Sequence, residues 1–310
     1  MKRVLITGSN GLLGQQLVDL FVRCGDYNLI LASRQERSVF TEDTLPYVQL
    51  DITRRQDVRN IIEEFEPEFI INAASGTEVD RCETEREIAW RTNVGGVENI
   101  LSAAKLTGST LVQLSTDYIF DGKNGPYDEY ARPNPLNYYG RTKLAGENLI
   151  SSAGIPAVIV RTMILYGLGA KVKPNFGLWL LKNFIDEKPM RIVDDQIGNP
   201  TLVDDLAYAI LQLIERNRTG IYHIAGPDLM SRYDFALAFA DVFGFNRKLI
   251  TPVKTTALKQ AAARPLKSGF ITLKAETDLG VKMSGVERGL AIFKNQVANH
   301  AKYIAEKSGK

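Results

Sequence analysis

A tyrosine and a lysine four residues apart, Tyr139 and Lys143, form the pattern in this chain with the most direct chemical meaning. Side chains at positions i and i+4 of a helix share one face, so the phenol and the ammonium can meet in one site. A phenol with an ordinary pKa near ~10 exchanges protons poorly at neutral pH, and a neighbouring cation lowers that pKa. The hydroxyl of Thr116, at the end of a predicted strand, can join them. These three side chains predict proton transfer involving a substrate oxygen.

The chain opens on a second pattern, in which Gly8, Gly11 and Gly14 lie between a predicted strand at 2–7 and an apolar-periodic helix. Strand, glycine turn and helix form the setting of a phosphate-binding loop. We expect Gly8 to allow the tight turn, Gly11 the approach of a pyrophosphate, and Gly14 the packing of helix on strand. The other loop positions that we expect to contact a dinucleotide are Asn10, Leu12 and Leu13.

The end of the second predicted strand indicates which dinucleotide is bound. A preference for NADH normally requires an acidic residue about 20 positions past the glycine loop, where it binds the adenosine ribose. Here Ser33 and Arg34 occupy that place, and no acid occurs before Glu36. Arg34 can pair with a 2′-phosphate and Ser33 can donate a hydrogen bond to it. The sequence therefore predicts NADPH, with NADH as a possible second cofactor and a solvated loop arginine as the alternative for Arg34.

The elements that must position these residues alternate along the first half of the chain. The predicted strands are 2–7, 28–32, 46–51, 68–73, 110–115 and 156–162, and the predicted helices include 55–65, 85–106 and 136–153. Such alternation predicts an α/β fold with a doubly wound, parallel, Rossmann-type sheet. Ligands of such sheets lie at the carboxyl ends of the strands, where the tripeptide Ala73, Ala74, Ser75 also falls.

Beyond residue 163 the pattern loosens into loops and shorter helices, which predicts a smaller C-terminal substrate-binding lobe. We assign residues 1–163, with about 192–222, to the dinucleotide-binding domain. The lobe then comprises about 164–191 and 223–310. A helix near 203–216 and a strand near 220–224 are expected to return to the main sheet.

Composition narrows the function classes. Lysine and arginine number 38 against 36 acidic residues, with both signs scattered, so neither nucleic acid nor a membrane is an expected partner. No apolar run approaches the ~18 residues of a membrane span. The two cysteines, Cys24 and Cys82, indicate idle thiols in a reducing compartment, and the two histidines do not suggest a metal site. We expect a cytoplasmic protein, monomeric or homodimeric.

Together these motifs resemble the extended short-chain dehydrogenase/reductase superfamily, and within it the dTDP-4-dehydrorhamnose reductase family. The glycine loop resembles the superfamily's cofactor signature, and Thr116, Tyr139 and Lys143 match its catalytic residues. The segments that carry the closer resemblance are 72–75, 79–80, 115–122, 135–147, 194–201 and 263–268. Two positions depart from that family, which often has Trp in place of Ile164 and x-Leu in place of Gly269-Phe270.

The resemblance implies reduction of a 4-keto sugar nucleotide, with dTDP-4-dehydro-L-rhamnose as the expected substrate. It implies that Asp51 and Ile52 contact the adenine, that Ala73, Ala74 and Ser75 line the cofactor, and that Lys143 holds the nicotinamide ribose. It also implies a structural role for Asn93.

Three residues are expected to contact the substrate, each with a plainer alternative. Asp117 would bind a sugar hydroxyl or cap a helix, Asn175 would contact the pyrophosphate or be an ordinary loop residue, and Arg264 would clamp a phosphate or be solvated. Related 4,6-dehydratases have a Glu where Tyr118 stands, and its absence favours reduction over elimination of water. A regulatory subunit that binds nucleotide without catalysis, and a sugar-nucleotide epimerase or dehydratase, remain alternative functions.

Overall fold

The computed structural model describes the backbone of residues 1–40 and 45–307, and the side chains of these ranges up to residue 300. Its strands are β1 Lys2–Thr7, β2 Tyr27–Ser33, β3 Tyr47–Gln49, β4 Phe69–Asn72, β5 Thr110–Thr116, β6 Ala157–Thr162, β7 Leu165–Tyr166, β8 Met190–Val193, β9 Ile197–Gly198, β10 Thr201–Leu202, β11 Gly220–His223, β12 Met230–Ser231 and β13 Ile250–Val253. Its α-helices are α1 Leu12–Cys24, α2 Arg55–Phe65, α3 Val79–Thr84, α4 Arg86–Trp90, α5 Gly96–Thr107, α6 Tyr138–Ser152, α7 Phe176–Ile185, α8 Val203–Glu215, α9 Arg232–Phe243, α10 Leu273–Leu279 and α11 Val286–Lys307. A π-helical segment, Arg91–Gly95, joins α4 to α5, and 3₁₀ turns span Asp117–Ile119, Arg247–Leu249 and Thr255–Leu258.

Seven strands form a wholly parallel central sheet in the order β11-β6-β5-β4-β1-β2-β3. The chain runs outward from β1 to β3 and then crosses back to β4 on the other side of β1. Such a reversal of strand order opens a crevice at the carboxyl ends of the two central strands, here β1 and β4. The sheet confirms the predicted Rossmann-type fold, and the third predicted strand, 46–51, shortens to β3.

Hydrophobic layers cover both faces of this sheet. Successive residues of β1 point to opposite faces, so Val4 lies in a buried cluster with α1 and α8, whereas Leu5 lies in a second cluster with α2, α5 and α6. Strands buried on both faces read as continuous apolar runs, as β1 and β4 do here. The predicted return of the chain to the main sheet occurs in α8 and β11.

A third buried cluster forms the core of the smaller lobe. It contains aromatic and aliphatic side chains of α7, α9, β8, β13 and α11, among them Phe184, Phe239 and Phe293. Strand β8 pairs in parallel with β13, and its residues Met190 and Ile192 lie in this cluster. The predicted end of the lobe at residue 310 lies outside the described residues.

The long helix predicted at 85–106 is interrupted. It is preceded by α3 and divided into α4, the π-helical segment and α5. Cys24 is exposed and Cys82 is buried. Among the described helices, none combines the length and apolar character that a membrane-crossing segment needs.

Candidate active site

The glycine loop lies between the end of β1 and the start of α1, at the crevice between β1 and β4. Gly8 has a positive φ of 70°, and a Cβ there would lie 2.7 Å from the backbone nitrogen of Ala74. A Cβ on Gly14 would lie 2.2 Å from the carbonyl oxygen of Gly8. Gly11 precedes the first turn of α1 without a side-chain cap, so the amides of that turn remain free to bind an anion. The loop thus fits a dinucleotide pyrophosphate.

The other predicted loop residues mainly support this geometry. The Asn10 side chain donates to Gln35 Oε1 at 2.6 Å and to the Arg37 carbonyl at 2.8 Å, and it accepts from the Val39 amide. Its polar atoms therefore hold the segment after β2. Leu13 is buried in the core and Leu12 is partly buried at the start of α1.

The segment after β2 carries two exposed arginines, of which Arg34 directly follows the strand. The Ser33 hydroxyl lies 2.8 Å from the Tyr47 hydroxyl, and Tyr47 in turn donates to the Gln35 carbonyl at 2.6 Å. Arg34 is exposed, and its guanidinium has no hydrogen bond or ion pair to any side chain described in the structure. Tyr47, to which the sequence analysis gave no role, orders this segment.

Asp51 and Ile52 form the turn between β3 and α2. Asp51 Oδ1 accepts from the Thr53 amide at 2.9 Å, which is the turn-capping role of an aspartate. Ile52 is buried against Gly96, where a Cβ would lie 2.6 Å from its Cδ1. Both residues therefore lie at the carboxyl edge of the sheet, where Asp51 caps the turn and Ile52 packs against α5.

Asn93, in the π-helical segment, ties the loop after β4 to α6. Its Oδ1 accepts from the Ser75 hydroxyl at 2.9 Å and from the Gly76 amide at 2.8 Å, and its Nδ2 donates to Thr142 Oγ1 at 3.0 Å. Ala73, Ala74 and Ser75 therefore lie between the glycine loop and the helix that carries Tyr139.

Thr116, Tyr139 and Lys143 come together at the end of β5, and all three are buried. Helix α6 is capped by Asn137, whose side chain accepts from the Gly140 amide at 2.8 Å. A Cβ on Gly140 would lie 2.1 Å from the carbonyl oxygen of Tyr118, so glycine is needed for α6 to approach the strand end. Lys143 Nζ donates to the Leu114 carbonyl at 2.6 Å and to Ser75 Oγ at 3.3 Å.

Burial dominates the electrostatics of the two titrating groups. It raises the pKa of Tyr139, against a lowering by the Thr116 hydroxyl and with a further rise from the Asp117 carboxylate. It lowers the pKa of Lys143 to about 8, opposed by Glu147. Lys143 is not among the groups that shift the pKa of Tyr139, so the lowering expected from it is wrong. Tyr139 is a neutral phenol near pH 7, the form that can donate a proton.

The three predicted substrate residues have different surroundings. Asp117 is buried, and burial raises its pKa to about 6, against lowering by the Ser268 hydroxyl and Arg232. Asn175 caps α7, because its Oδ1 accepts from the Leu178 amide and its Nδ2 donates to the Gly167 carbonyl at 2.8 Å. The helix-capping alternative for Asp117 is wrong, since Thr116 Oγ1 accepts from the Tyr118 amide instead.

The guanidinium of Arg264 already binds groups within the protein. Its guanidinium pairs with Asp80 at 2.8 Å, donates to the Ala262 carbonyl at 2.8 Å, and lies 6.0 Å from the centre of the Tyr118 ring. It is therefore not the solvated arginine of the plainer alternative, and neither is it an unpaired phosphate clamp.

Two features near the site were not found by sequence reasoning. Glu147 forms a buried ion pair with Arg161 at 2.7 Å and accepts from the Ser115 hydroxyl at 2.5 Å, which anchors α6 to β5 and β6. Its spacing of four residues from Lys143 is a signal that could have revealed it. Arg232, at the start of α9, approaches Asp117 and Tyr118, and no local pattern marks it.

The chain matches the family described as the RmlD substrate binding domain over residues 1–299. It belongs to this family of extended short-chain dehydrogenases/reductases. Among relatives of the family, the dTDP-4-dehydrorhamnose reductase of Aggregatibacter actinomycetemcomitans is 34% identical over 94% of this chain and 97% of its own. The methionine adenosyltransferase 2 subunit beta of Mus musculus is 31% identical over 90% of this chain and 83% of its own.

A solved member of the family has nearly the same fold. The dTDP-4-dehydrorhamnose reductase of Bacillus anthracis, crystallised in complex with NADP, superposes with a TM-score of 0.86. It is 34% identical, and the match covers 96% of this chain and 100% of that chain. The resemblance to the dTDP-4-dehydrorhamnose reductase family that the motifs indicated is thereby confirmed.

Proposed function

We propose that this protein reduces a 4-keto sugar nucleotide with NADPH, converting dTDP-4-dehydro-L-rhamnose to dTDP-L-rhamnose. The observation that carries the proposal is the convergence of Thr116, Tyr139 and Lys143 beside the glycine loop, at the carboxyl edge of one sheet. Relatives of the same family named as dTDP-4-dehydrorhamnose reductases support the substrate.

In this proposal each side chain has one task. NADPH, when bound, supplies a hydride to the carbonyl carbon. Tyr139 gives its phenolic proton to the carbonyl oxygen, on which negative charge develops. Thr116 donates a hydrogen bond that orients that oxygen, and the ammonium of Lys143 stabilises the phenolate that remains. The products are the alcohol and NADP⁺.

The preference for NADPH rests on the segment after β2. Arg34 is exposed, and its guanidinium is unpaired within the described residues. Positions 33 and 34 are Ser and Arg, so neither places a carboxylate there to repel a 2′-phosphate. The NADP complex of the Bacillus anthracis relative supports the same choice.

The division of labour between the two parts of the chain belongs to the same proposal. Residues 1–163 with about 192–222 bind the dinucleotide, and the lobe of 164–191 and 223–310 binds the nucleotide sugar.

The experiment is a panel of 4-keto nucleotide sugars assayed by loss of NADPH absorbance, with the product identified by a mass gain of two hydrogens. We expect stoichiometric oxidation of NADPH with the dTDP-linked ketosugar. An epimerase or dehydratase would regenerate its cofactor and consume none.

A regulatory subunit is the second candidate, supported by the 31% identity to methionine adenosyltransferase 2 subunit beta. The buried Tyr139 and Lys143 favour the enzyme, because a chain without catalysis has no need to keep these polar groups desolvated. Binding of NADPH and dTDP with no turnover of any ketosugar in the panel would favour the subunit.

A further inference from the structure

Two arginines lie near the ring of Tyr118, and one of them, Arg232, also lowers the pKa of the buried Asp117 carboxyl. The two arginines differ in what they already bind. Arg264 is engaged by Asp80 and by the Ala262 carbonyl. The guanidinium of Arg232 forms no hydrogen bond or ion pair with any side chain or backbone group in the described residues. Instead, it lies over the ring of Phe176, with Cζ 5.2 Å from the ring centre.

The position of Arg232 is well fixed by its backbone. Ser231 and Asp234 form a reciprocal capping box at the start of α9, and the Arg232 amide donates to the Gln196 carbonyl at 3.2 Å. The side chain is partly buried, and burial lowers its pKa while Tyr118 and Asp117 raise it. An arginine stays charged in proteins, so this site holds a partly desolvated cation without a hydrogen-bonded counter-ion.

An anionic ligand could bind Arg232 on the side of α7 but not on the side of Asp117. Phe176, over which the guanidinium lies, is the first residue of α7, and the N-terminus of a ten-residue helix favours negative charge. Asp117, on the other side, would repel a phosphate when ionised. A planar guanidinium matches two phosphate oxygens at once.

We propose that Arg232 binds the diphosphate of the nucleotide-sugar substrate, whereas Arg264 braces the wall of the cleft through Asp80. The assignment rests on the proposed function, and it places the sugar towards Asp117 and Thr116. It also assigns the diphosphate to a residue of α9, beyond the motifs that carry the family resemblance.

The test is calorimetric titration of dTDP into the full-length protein and its variants, which requires no turnover. Arg232→Gln should raise the Kd of dTDP by at least about 10-fold, the effect of removing one charged hydrogen-bond partner. The Kd of NADPH should stay within about two-fold, because the cofactor phosphates lie at the glycine loop. Arg191→Gln, an exposed arginine of β8 in the same lobe, is the matched control and should leave both values unchanged.

Two further variants keep the test decisive. Arg232→Lys retains the charge and should recover part of the lost affinity for dTDP. Arg264→Gln should lower the melting temperature and should change the Kd of dTDP less than Arg232→Gln does. Unchanged dTDP affinity in both Arg232 variants, or equal losses for dTDP and NADPH, would overturn the assignment. If the wild-type protein binds no nucleoside diphosphate, the proposed function fails with it. If the wild type binds dTDP and Arg232→Gln binds it equally well, only the assignment of Arg232 fails.

Discussion

Lys143 Nζ lies 2.6 Å from the carbonyl oxygen of Leu114, the residue two positions before Thr116 on β5. The ammonium is thus fixed by the same strand that presents the Thr116 hydroxyl, and it also donates to Ser75, in the loop after the neighbouring strand β4, at 3.3 Å. Lys143 connects the two strand ends between which the cofactor is expected to lie.

Lys143→Ala should lower kcat and raise the KM for NADPH together, because the proposed mechanism gives this side chain two roles, stabilising the phenolate and binding the nicotinamide ribose. Steady-state kinetics over a range of NADPH concentrations separate the two effects. The melting temperature is the control, and a variant that only unfolds earlier while retaining both constants would contradict the two roles.

The pH dependence of the wild-type kcat follows from the same group. Burial lowers the pKa of Lys143 to about 8, so the ammonium loses its proton as pH rises through that value. We expect kcat to decline between about pH 7 and 9. A profile flat to pH 10 would show that the ammonium is not needed in its charged form.

Tyr139→Phe should reduce kcat by about 10²-fold or more, because it removes the proton donor and little else. NADPH affinity, measured by fluorescence titration, should be nearly unchanged. Tyr138→Phe, one residue away on α6, is the matched control and should retain turnover. Near-normal kcat in Tyr139→Phe would show that another group donates the proton.

Arg34→Ala should raise the KM for NADPH sharply and leave the KM for NADH nearly unchanged. The guanidinium is exposed and unpaired within the described residues, so its loss should affect only a ligand that carries a 2′-phosphate. The ratio of kcat/KM for the two cofactors is the measurement. Equal loss with both cofactors, or a wild-type preference for NADH, would refute the cofactor assignment.

Asp117→Asn should change how stability depends on pH. Burial raises the pKa of Asp117 from 3.8 to about 6, so the native state holds this proton more tightly than the unfolded state does. Its contribution to stability is therefore greatest below about pH 4 and is lost as pH rises to about 6, by about 3 kcal/mol. His223, whose pKa burial and Arg161 lower to about 3, has the opposite effect between pH 6.5 and 3.

The difference in unfolding free energy between Asp117→Asn and wild type isolates the Asp117 contribution, because His223 is common to both. Urea denaturation from pH 4 to 7 should show the variant gaining relative stability as pH rises. A constant difference over this range would mean that the native pKa of Asp117 is close to its ordinary value.

Local patterns predicted the parts of this molecule that depend on near neighbours in sequence. The glycine loop, the alternation of strands and helices, and the placement of Tyr139 and Lys143 one turn apart all follow from spacings of a few residues. The predicted strands and the helices 55–65 and 136–153 are present with bounds shifted by at most two residues, whereas the predicted helix 85–106 is divided.

Contacts between residues far apart in sequence determine which arginines are paired and how the pKa of Tyr139 is shifted, and local spacing could not predict either. Whether the guanidinium of Arg264 is free depends on Asp80, 184 residues away, and the environment of Arg232 depends on Asp117 across the cleft. The pKa of Tyr139 likewise depends on how deeply α6 is buried, so a rule based on one neighbouring lysine predicted the wrong direction. Burial and ion pairing are properties of the assembled fold.

Because of the π-helical segment Arg91–Gly95, the position of Asn93 depends on the exact number of residues between α4 and α5. A π turn accommodates one residue more than regular α-helical winding would allow. Deletion of a single residue here would regularise the helix and rotate Asn93 by about 100° around the axis. The side-chain amide of Asn93 would then lose its hydrogen bonds with Ser75, Gly76 and Thr142. Single substitutions in this segment would not reveal the dependence on residue number, whereas single-residue deletions would.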